Sequence, residues 1–260
     1  MSGETTKTRP RRQRADQLLV ERGLAPSRAQ AQALILAGRL FAGGARVDKV
    51  GSLLAPDAAL ELRGAPHPFV SRGGVKLAHA LAHFAIDPAG ALALDVGAST
   101  GGFTDVLLQG GARRVYAVDV GRGQLDWTLR NDPRVVVLER TNARRLTAAA
   151  IPEPVDLVVC DASFIGLETV LPAALALAKP GARLIALIKP QFEVGKGRVG
   201  KGGIVRDPAL HQEVCDRITR WLADTMGWRV LGLTDSPLAG ADGNREFLIA
   251  AERPSAATKQ

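Results

Sequence analysis

The run ALALDVGASTGGFTDVLLQGGARRVYAVDV, residues 91–120, constrains the fold more than any other stretch of the chain. Ala91 to Val96 is an unbroken apolar run apart from Asp95, which predicts a strand buried on both faces. Gly97-Ala98-Ser99-Thr100-Gly101-Gly102 reads as a tight turn, Phe103 to Leu108 as a short helix, and Val115 to Val118 as a second strand ending on Asp119. Two buried strands joined through a helix must run parallel, and that crossover is right-handed. A parallel sheet with helices on both faces follows.

The spacing also narrows the ligand. Asp119, twenty-four positions after Asp95, stands where an acidic side chain accepts from two ribose hydroxyls, although a strand-end aspartate is also an ordinary cap. The glycines do not form GxGxxG, so no early pair cradles a pyrophosphate, and Asp95 would repel a dianion. A ligand carrying adenosine and an amino acid without phosphate fits this turn better than a dinucleotide.

Further strands continue the pattern at Val135–Leu138, Val155–Cys160 and Leu184–Ile188, with Val230–Thr234 and Glu246–Ala250 as a closing pair. One helix is expected over Leu167–Ala178, stopped by Lys179-Pro180-Gly181. Ligands of such sheets sit beyond the carboxyl ends of the strands. Asp161 and Lys189 fall just past two of those ends, and Pro190 forbids further ladder bonding after Lys189.

The first sixty residues have another texture. Leu18 to Val20 form a short amphipathic turn closed by Gly23. Ser27 is placed to cap a helix carrying Ala31, Leu34 and Ile35 and ending at Gly38. Leu40-Phe41, Ala45–Val47 and Ala59–Leu62 read as short strands. RGAPHPFV, residues 63–70, holds two prolines within three positions and reads as a linker. The expected division is a basic tail at 1–10, a small module at 11–62, the linker at 63–70, a large domain at 71–254 and a tail at 255–260.

Charge points to a polyanion. The chain carries +8 at pH 7, and residues 1–75 hold twelve Lys and Arg against six Asp and Glu. No apolar run reaches the roughly 18 residues of a membrane helix, and MSGETTKTRPRRQR lacks the apolar core of a signal peptide. Cys160 and Cys215 match no metal spacing and read as reduced core thiols of a cytoplasmic protein. The loop from Glu193 to Gly203 carries five glycines and three cations, Lys196, Arg198 and Lys201, which suits a mobile clamp on RNA or a plain surface loop.

Four resemblances accompany these readings. The N-terminal module resembles the S4 RNA-binding domain in Arg14-x-Asp16, in Ser27-Arg28 and in Gly38-Arg39, and departs from it in having Ala42-Gly43-Gly44 where an Asn-Gly turn is common. The resemblance implies RNA contacts from Arg14, Arg28, Arg39 and Lys49. DVGASTGGF resembles the first motif of class I S-adenosylmethionine methyltransferases, a Rossmann-like α/β fold with a mostly parallel seven-stranded sheet. This implies S-adenosylmethionine as cofactor, held by Asp95, Gly97, Ala98, Ser99, Thr100, Gly101, Gly102, Phe103, Asp119, Asn142 at the adenine edge, and Asp161. Lys76, Asp161, Lys189 and Glu246, within SRGGVKL, CDASF, LIKPQFE and GNREF, resemble the K-D-K-E tetrad of FtsJ/RrmJ-type RNA ribose 2′-O-methyltransferases. From about Arg14 to Arg253 the domain order resembles the TlyA family of rRNA (cytidine-2′-O)-methyltransferases, historically called haemolysins.

What the resemblance implies is a methyl transfer to a ribose 2′-hydroxyl of ribosomal RNA in ribosomal subunits, with no metal and no membrane. Lys189 is then either a base with a lowered pKa or a cation held by Asp161 and Glu246. Two alternatives belong to other classes: a non-catalytic ribosome-associated RNA-binding factor, and a membrane-active haemolysin-like protein. A base methyltransferase would carry a proline-containing motif or a reactive cysteine where Asp161-Ala162-Ser163-Phe164 stands.

Overall fold

The computed structural model describes residues 12–25, 27–63, 67–195, 197–240 and 243–255. Its contacts divide between Pro68 and Phe69 into two compact units.

In the first unit α1 (Ala15–Glu21) and α2 (Arg28–Leu36) pack together over Leu19, Ala31, Ile35 and Leu40. Ser27 caps α2 by accepting from the Gln30 amide at 3.3 Å. Two small sheets complete the unit: β1 (Gln13–Arg14) pairs with β4 (Leu53–Leu54), and β2 (Leu40–Ala42) lies between β3 (Ala45–Arg46) and β5 (Leu60–Leu62). The Ala42-Gly43-Gly44 departure has a simple outcome. Ala42 pairs with Ala45, leaving a two-residue loop in which Gly43 and Gly44 both have positive φ, 57° and 81°. That is the hairpin turn Asn-Gly favours, and two glycines reach it without strain. The β1–β4 pair was not anticipated, since two-residue strands have no readable period.

The second unit is built on one seven-stranded sheet. In chain order its strands are β6 (Leu92–Val96), β7 (Arg114–Val118), β8 (Val135–Leu138), β9 (Val155–Cys160), β10 (Ala178–Ile188), β11 (Arg229–Asp235) and β12 (Phe247–Glu252), and they lie side by side as β11-β12-β10-β9-β6-β7-β8. All are parallel except β12, which runs against both its neighbours. Period-two alternation sends Ala93, Ile185, Leu187 and Leu248 to one core, and Leu92, Leu94, Leu184 and Ala186 to the other. The first core lies under α3 (Gly73–His83) and α4 (Gly102–Gln109). The second lies under α6 (Leu167–Val170), α7 (Pro172–Ala176) and α9 (Pro208–Arg220). Two short helices, α5 (Trp127–Arg130) and α8 (Pro190–Glu193), follow strand ends. Chain order reverses between β6 and β9, which makes their carboxyl ends the switch point of the sheet.

One expectation fails. The helix over Leu167–Ala178 is two, because Pro172 has no amide to carry the ladder past Leu171. Ala178 already belongs to β10, and Lys179-Pro180-Gly181 makes a register shift in that strand instead of a helix stop. Phe69 packs over Gly74, and the Val70 amide donates to Asp105 at 2.8 Å, so both residues belong to the second unit.

In the first unit Asp16 is the electrostatic hub. Its buried carboxylate accepts from Arg14 at 2.9 Å, Arg28 at 2.8 Å and Gln32 at 3.1 Å. Burial alone would raise its pKa, but these donors overcome that and hold it below the ordinary value. The Asp16 contribution is therefore complete above about pH 4 and lost as pH falls below it. Asp16→Asn is expected to cost about 2 kcal/mol at pH 7, since the half-exposed arginines can return to water. It should also shrink the acid sensitivity of the first unit. Urea denaturation at pH 7 and pH 3 checks both.

Candidate active site

The turn after β6 sets the site. Gly97 has φ +84°, and a Cβ there would lie 2.9 Å from the backbone of Ala162, so only glycine lets this turn meet the loop after β9. Ser99 takes a positive φ of 49°, and its amide donates at 2.8 Å to Asp119, which follows the neighbouring strand β7. Gly102 opens α4 so close to α3 that a Cβ would strike Ser71. Ala98, Thr100, Gly101 and Phe103 complete the same turn and first helical turn, with Thr100 and Phe103 buried.

The tetrad residues come together from four separate segments. Lys76 projects from α3, Asp161 follows β9, Lys189 ends β10, and Glu246 precedes β12. They form two ion pairs. Lys76 Nζ lies 2.6 Å from Glu246 Oε2, and Lys189 Nζ lies 2.6 Å from Asp161 Oδ1. Both lysines and Glu246 are buried. Lys189 also donates to Ser163 Oγ at 2.8 Å and to the Asp161 carbonyl at 3.2 Å. The ammonium thus has two hydrogen-bond acceptors beside the ion pair. Burial pulls the Lys189 pKa down, but Asp161 and Glu246 outweigh it, and the net shift is upward. Between the two readings of this side chain, the cofactor-free geometry favours the cation over the free amine. Gly240 is spatially required here, because a Cβ would fall 2.0 Å from Glu246 Oε1.

Ser163 was not foreseen. Its only signal was its place two residues after Asp161. Phe164, next along, is 89% exposed, has φ +66° and lies against Phe192 with ring centroids 4.9 Å apart. Cys160 is inert: burial foremost pushes its thiol up to about 12. No group of three or more His, Cys, Asp or Glu able to hold a metal occurs among the described residues, and no helix among them is long and apolar enough to cross a membrane.

The remaining expected ligand residues differ in their surroundings. Asp95 is fully buried. Thr104 Oγ1 donates to its Oδ2 at 2.7 Å, while Oδ1 has no protein partner. An unpaired buried carboxylate oxygen beside an open turn suits a cationic ligand group such as an ammonium or sulfonium. Asp119 already accepts from Ser99 and Gly121, at 2.8 and 2.7 Å, and each oxygen keeps lone pairs for a further donor. Asn142 is exposed, and its amide oxygen caps the 3₁₀ turn Ala143–Arg145, leaving its NH₂ group outward. A narrow cleft lined by Ala98, Ser99, Asp119, Gln124, Val137 and Glu139 runs along this side.

The residues expected to meet RNA are in part already engaged. Arg14 and Arg28 are bound to Asp16, and Arg198 to Glu213 on α9 at 2.6 and 2.5 Å. Arg39 donates to the Arg63 carbonyl at 3.2 Å, and Lys49 is exposed. Lys201 is exposed on a 3₁₀ turn, Lys201–Gly203. Lys196 lies outside the described residues. The pairings of Arg28 and Arg198 depend on partners twelve and fifteen positions away, which no local motif displays.

Comparison with known proteins now places this geometry. The family model of FtsJ-like methyltransferases matches residues 69–253, and that of the S4 domain matches residues 13–59. The 16S/23S rRNA (cytidine-2′-O)-methyltransferase TlyA of Mycobacterium tuberculosis is 52% identical over 240 residues, covering 92% of this chain and 89% of the relative. The chain belongs to the FtsJ-like methyltransferases, in the TlyA family. Within that family Hemolysin A of Brachyspira hyodysenteriae is 38% identical, covering 90% of this chain and 98% of its own. A candidate hemolysin of known structure from Streptococcus thermophilus superposes with a TM-score of 0.73 at 40% identity, covering 95% of this chain and 92% of that one. The seven-stranded sheet with its reversed β12 is thus the FtsJ-like methyltransferase architecture expected from the sequence.

Asp95 yields a pH prediction. Burial foremost, with Asp161 and Asp119 adding to it, raises its pKa to about 7 in the cofactor-free protein. The native state therefore holds a proton that the unfolded chain releases above about pH 4, so stability falls as pH rises towards 7. The loss is on the order of 4 kcal/mol. Asp95→Asn is expected to flatten this dependence and to be more stable than wild type at pH 8. Urea denaturation at pH 5 and pH 8 without cofactor measures both.

Proposed function

We propose that this chain transfers a methyl group from S-adenosylmethionine to a ribose 2′-hydroxyl of ribosomal RNA, at a cytidine, with the first unit contributing to RNA binding. The observation that carries this reading is the pair of buried ion pairs, Lys76–Glu246 and Asp161–Lys189, gathered beyond the switch point next to the glycine turn. The Mycobacterium tuberculosis relative, a 16S/23S rRNA (cytidine-2′-O)-methyltransferase, supports the nucleotide class.

When bound, S-adenosylmethionine supplies a sulfonium-activated methyl group, so no further activation of the donor is needed. The protein's task is to hold the acceptor hydroxyl in line and dispose of its proton. Asp95 offers its unpartnered oxygen to the cofactor's cationic portion, and Asp119 offers spare lone pairs to ribose hydroxyls. Lys189 is held as an ammonium and donates to the incoming 2′-oxygen, exchanging one of its present acceptors, Ser163 or the Asp161 carbonyl, for the substrate. As the new C–O bond forms, the hydroxyl proton becomes strongly acidic, and the Asp161 carboxylate beside Lys189 receives it. Lys76 holds Glu246 in place, and Glu246 in turn helps keep Lys189 charged. Cytoplasmic location follows from this substrate as part of the same proposal.

Lys189→Ala is expected to abolish methylation with cofactor affinity and fold intact, because the interaction is made to the reacting oxygen and its loss falls on kcat. Lys189→Arg should fail as well, since a planar guanidinium does not reproduce a compact ammonium among Asp161, Ser163 and the substrate. Mass-spectrometric mapping of 2′-O-methyl nucleosides in ribosomal subunits incubated with each variant decides it; near wild-type turnover by the alanine variant would overturn the assignment. For the cofactor, Asp119→Ala should weaken binding by about 1.5–3 kcal/mol, the worth of hydrogen bonds to a charged group, as read by calorimetry. Unchanged affinity would remove Asp119 from the cofactor site.

A further inference from the structure

The loops after β9 and β10 carry Asp161 and Lys189, and they are joined at two places. The first is the Lys189 ammonium on Asp161 and Ser163. The second lies four residues further along. Glu193, its side chain 3% exposed, closes α8 with one carboxylate oxygen accepting from the Leu167 amide at 2.8 Å and the other from Arg217 at 2.8 Å. Arg217 reaches over from α9, donates also to the Glu193 carbonyl at 3.0 Å, and pairs with Glu168. Gly166 leaves room for this carboxylate; a Cβ there would sit 3.1 Å from it.

The two junctions have different fates during turnover. A 2′-hydroxyl arriving at Lys189 competes with Ser163 and the Asp161 carbonyl for the ammonium protons, so the first junction loosens when substrate binds. The second is made wholly between protein groups, Glu193, Arg217, Glu168 and the Leu167 amide, and is apart from the Lys189 ammonium. A buried carboxylate also has a desolvation cost that a mere surface staple would avoid: burial foremost raises the Glu193 pKa despite the Leu167 amide and Arg217.

Resting on the ribose-methylation reading above, we infer that Glu193, by accepting from both the Leu167 amide and its partner Arg217, is a positioning residue that keeps the Asp161 and Lys189 loops in register while Lys189 exchanges partners. Neither Glu193 nor Arg217 is a catalytic residue. The carboxylate is needed for a countable reason. Two donors, the Leu167 amide and the Arg217 guanidinium, converge on one side chain from opposite sides, and a glutamine presents an acceptor to only one of them. Glu193→Gln therefore sets an NH₂ group against a donor and spreads the two loops. Removing one of the donors as well, in Glu193→Gln/Arg217→Met, relieves the conflict.

Two measurements test this. The first is kcat for subunit methylation together with calorimetric cofactor affinity. Glu193→Gln is expected to lower kcat by about ten- to a hundredfold with cofactor affinity unchanged, and the double variant to recover most of that loss. The second needs no turnover: the Lys189 pKa from NMR of isotopically labelled lysine in the cofactor-free protein, its signal assigned through Lys189→Arg. Lys189 is faced by Asp161 from the loop after β9, by Glu246 from the approach to β12 and by Cys160 from the strand end, with Lys76 on the far side of Glu246. Spreading the loops moves Asp161 away, so the Lys189 pKa should fall in Glu193→Gln and return in the double variant. A purely structural role would lower thermal stability while leaving that pKa in place, and would be worsened, not rescued, by the second substitution. An unshifted Lys189 pKa, or a double variant no better than the single, overturns the inference. Wild-type protein that fails to methylate any ribose would overturn the function reading and leave the NMR result to decide this one.

Discussion

The site depends on a backbone contact at the centre of the sheet. Gly97 and Ala162 touch with no room for a Cβ between them. Their strands, β6 and β9, are neighbours with no strand between to fill the gap at the switch point. Because the two loops meet there, the glycine turn after β6 and the carboxylate of Asp161 share one small volume. The same closeness accounts for the electrostatics. Burial foremost, with Asp161 and Asp119 close by, raises the pKa of Asp95, and Lys189 pairs with Asp161 as a compensating charge.

Much of this could be read from residue order. The strand–turn–helix–strand of residues 91–120 has the strongest local period in the chain, and its strands stand within a residue of their expected bounds. Asp161 and Lys189 stood out for a different reason, while Lys76 and Glu246 were named only through the family resemblance. A charge at the end of an apolar run breaks the pattern that packing would favour, and such breaks mark places where something other than packing chose the residue. The sequence could not show that Lys76 would select Glu246 and Lys189 would select Asp161, because pairing is a property of three-dimensional neighbours.

What was not legible has physical causes of the same kind. The helix expected over Leu167–Ala178 has the right composition throughout, yet one missing amide at Pro172 divides it. Arg14, Arg28 and Arg198 look like free cations along the sequence, and each has a carboxylate waiting on another element. Net charge therefore overstated how much of the first unit is available to phosphates. The capped helix α9, whose Arg217 secures Glu193, carries no chemical motif and announces itself only by Asp207 and Pro208 at its start.

The reversed strand β12 has a consequence in time as well as in space. An antiparallel strand begins where its neighbours end, so the residue just before it, Glu246, arrives at the same end of the sheet as Asp161 and Lys189. Its partner Lys76 lies 170 positions earlier. A chain emerging from the ribosome amino end first can form the glycine turn and the first strands long before Glu246 exists, and contacts so distant in sequence are the slow ones to close. Until the last strand is inserted, Lys76 is a buried cation without its counter-charge. The protein cannot assemble its full complement of charges before almost the whole of it has been made.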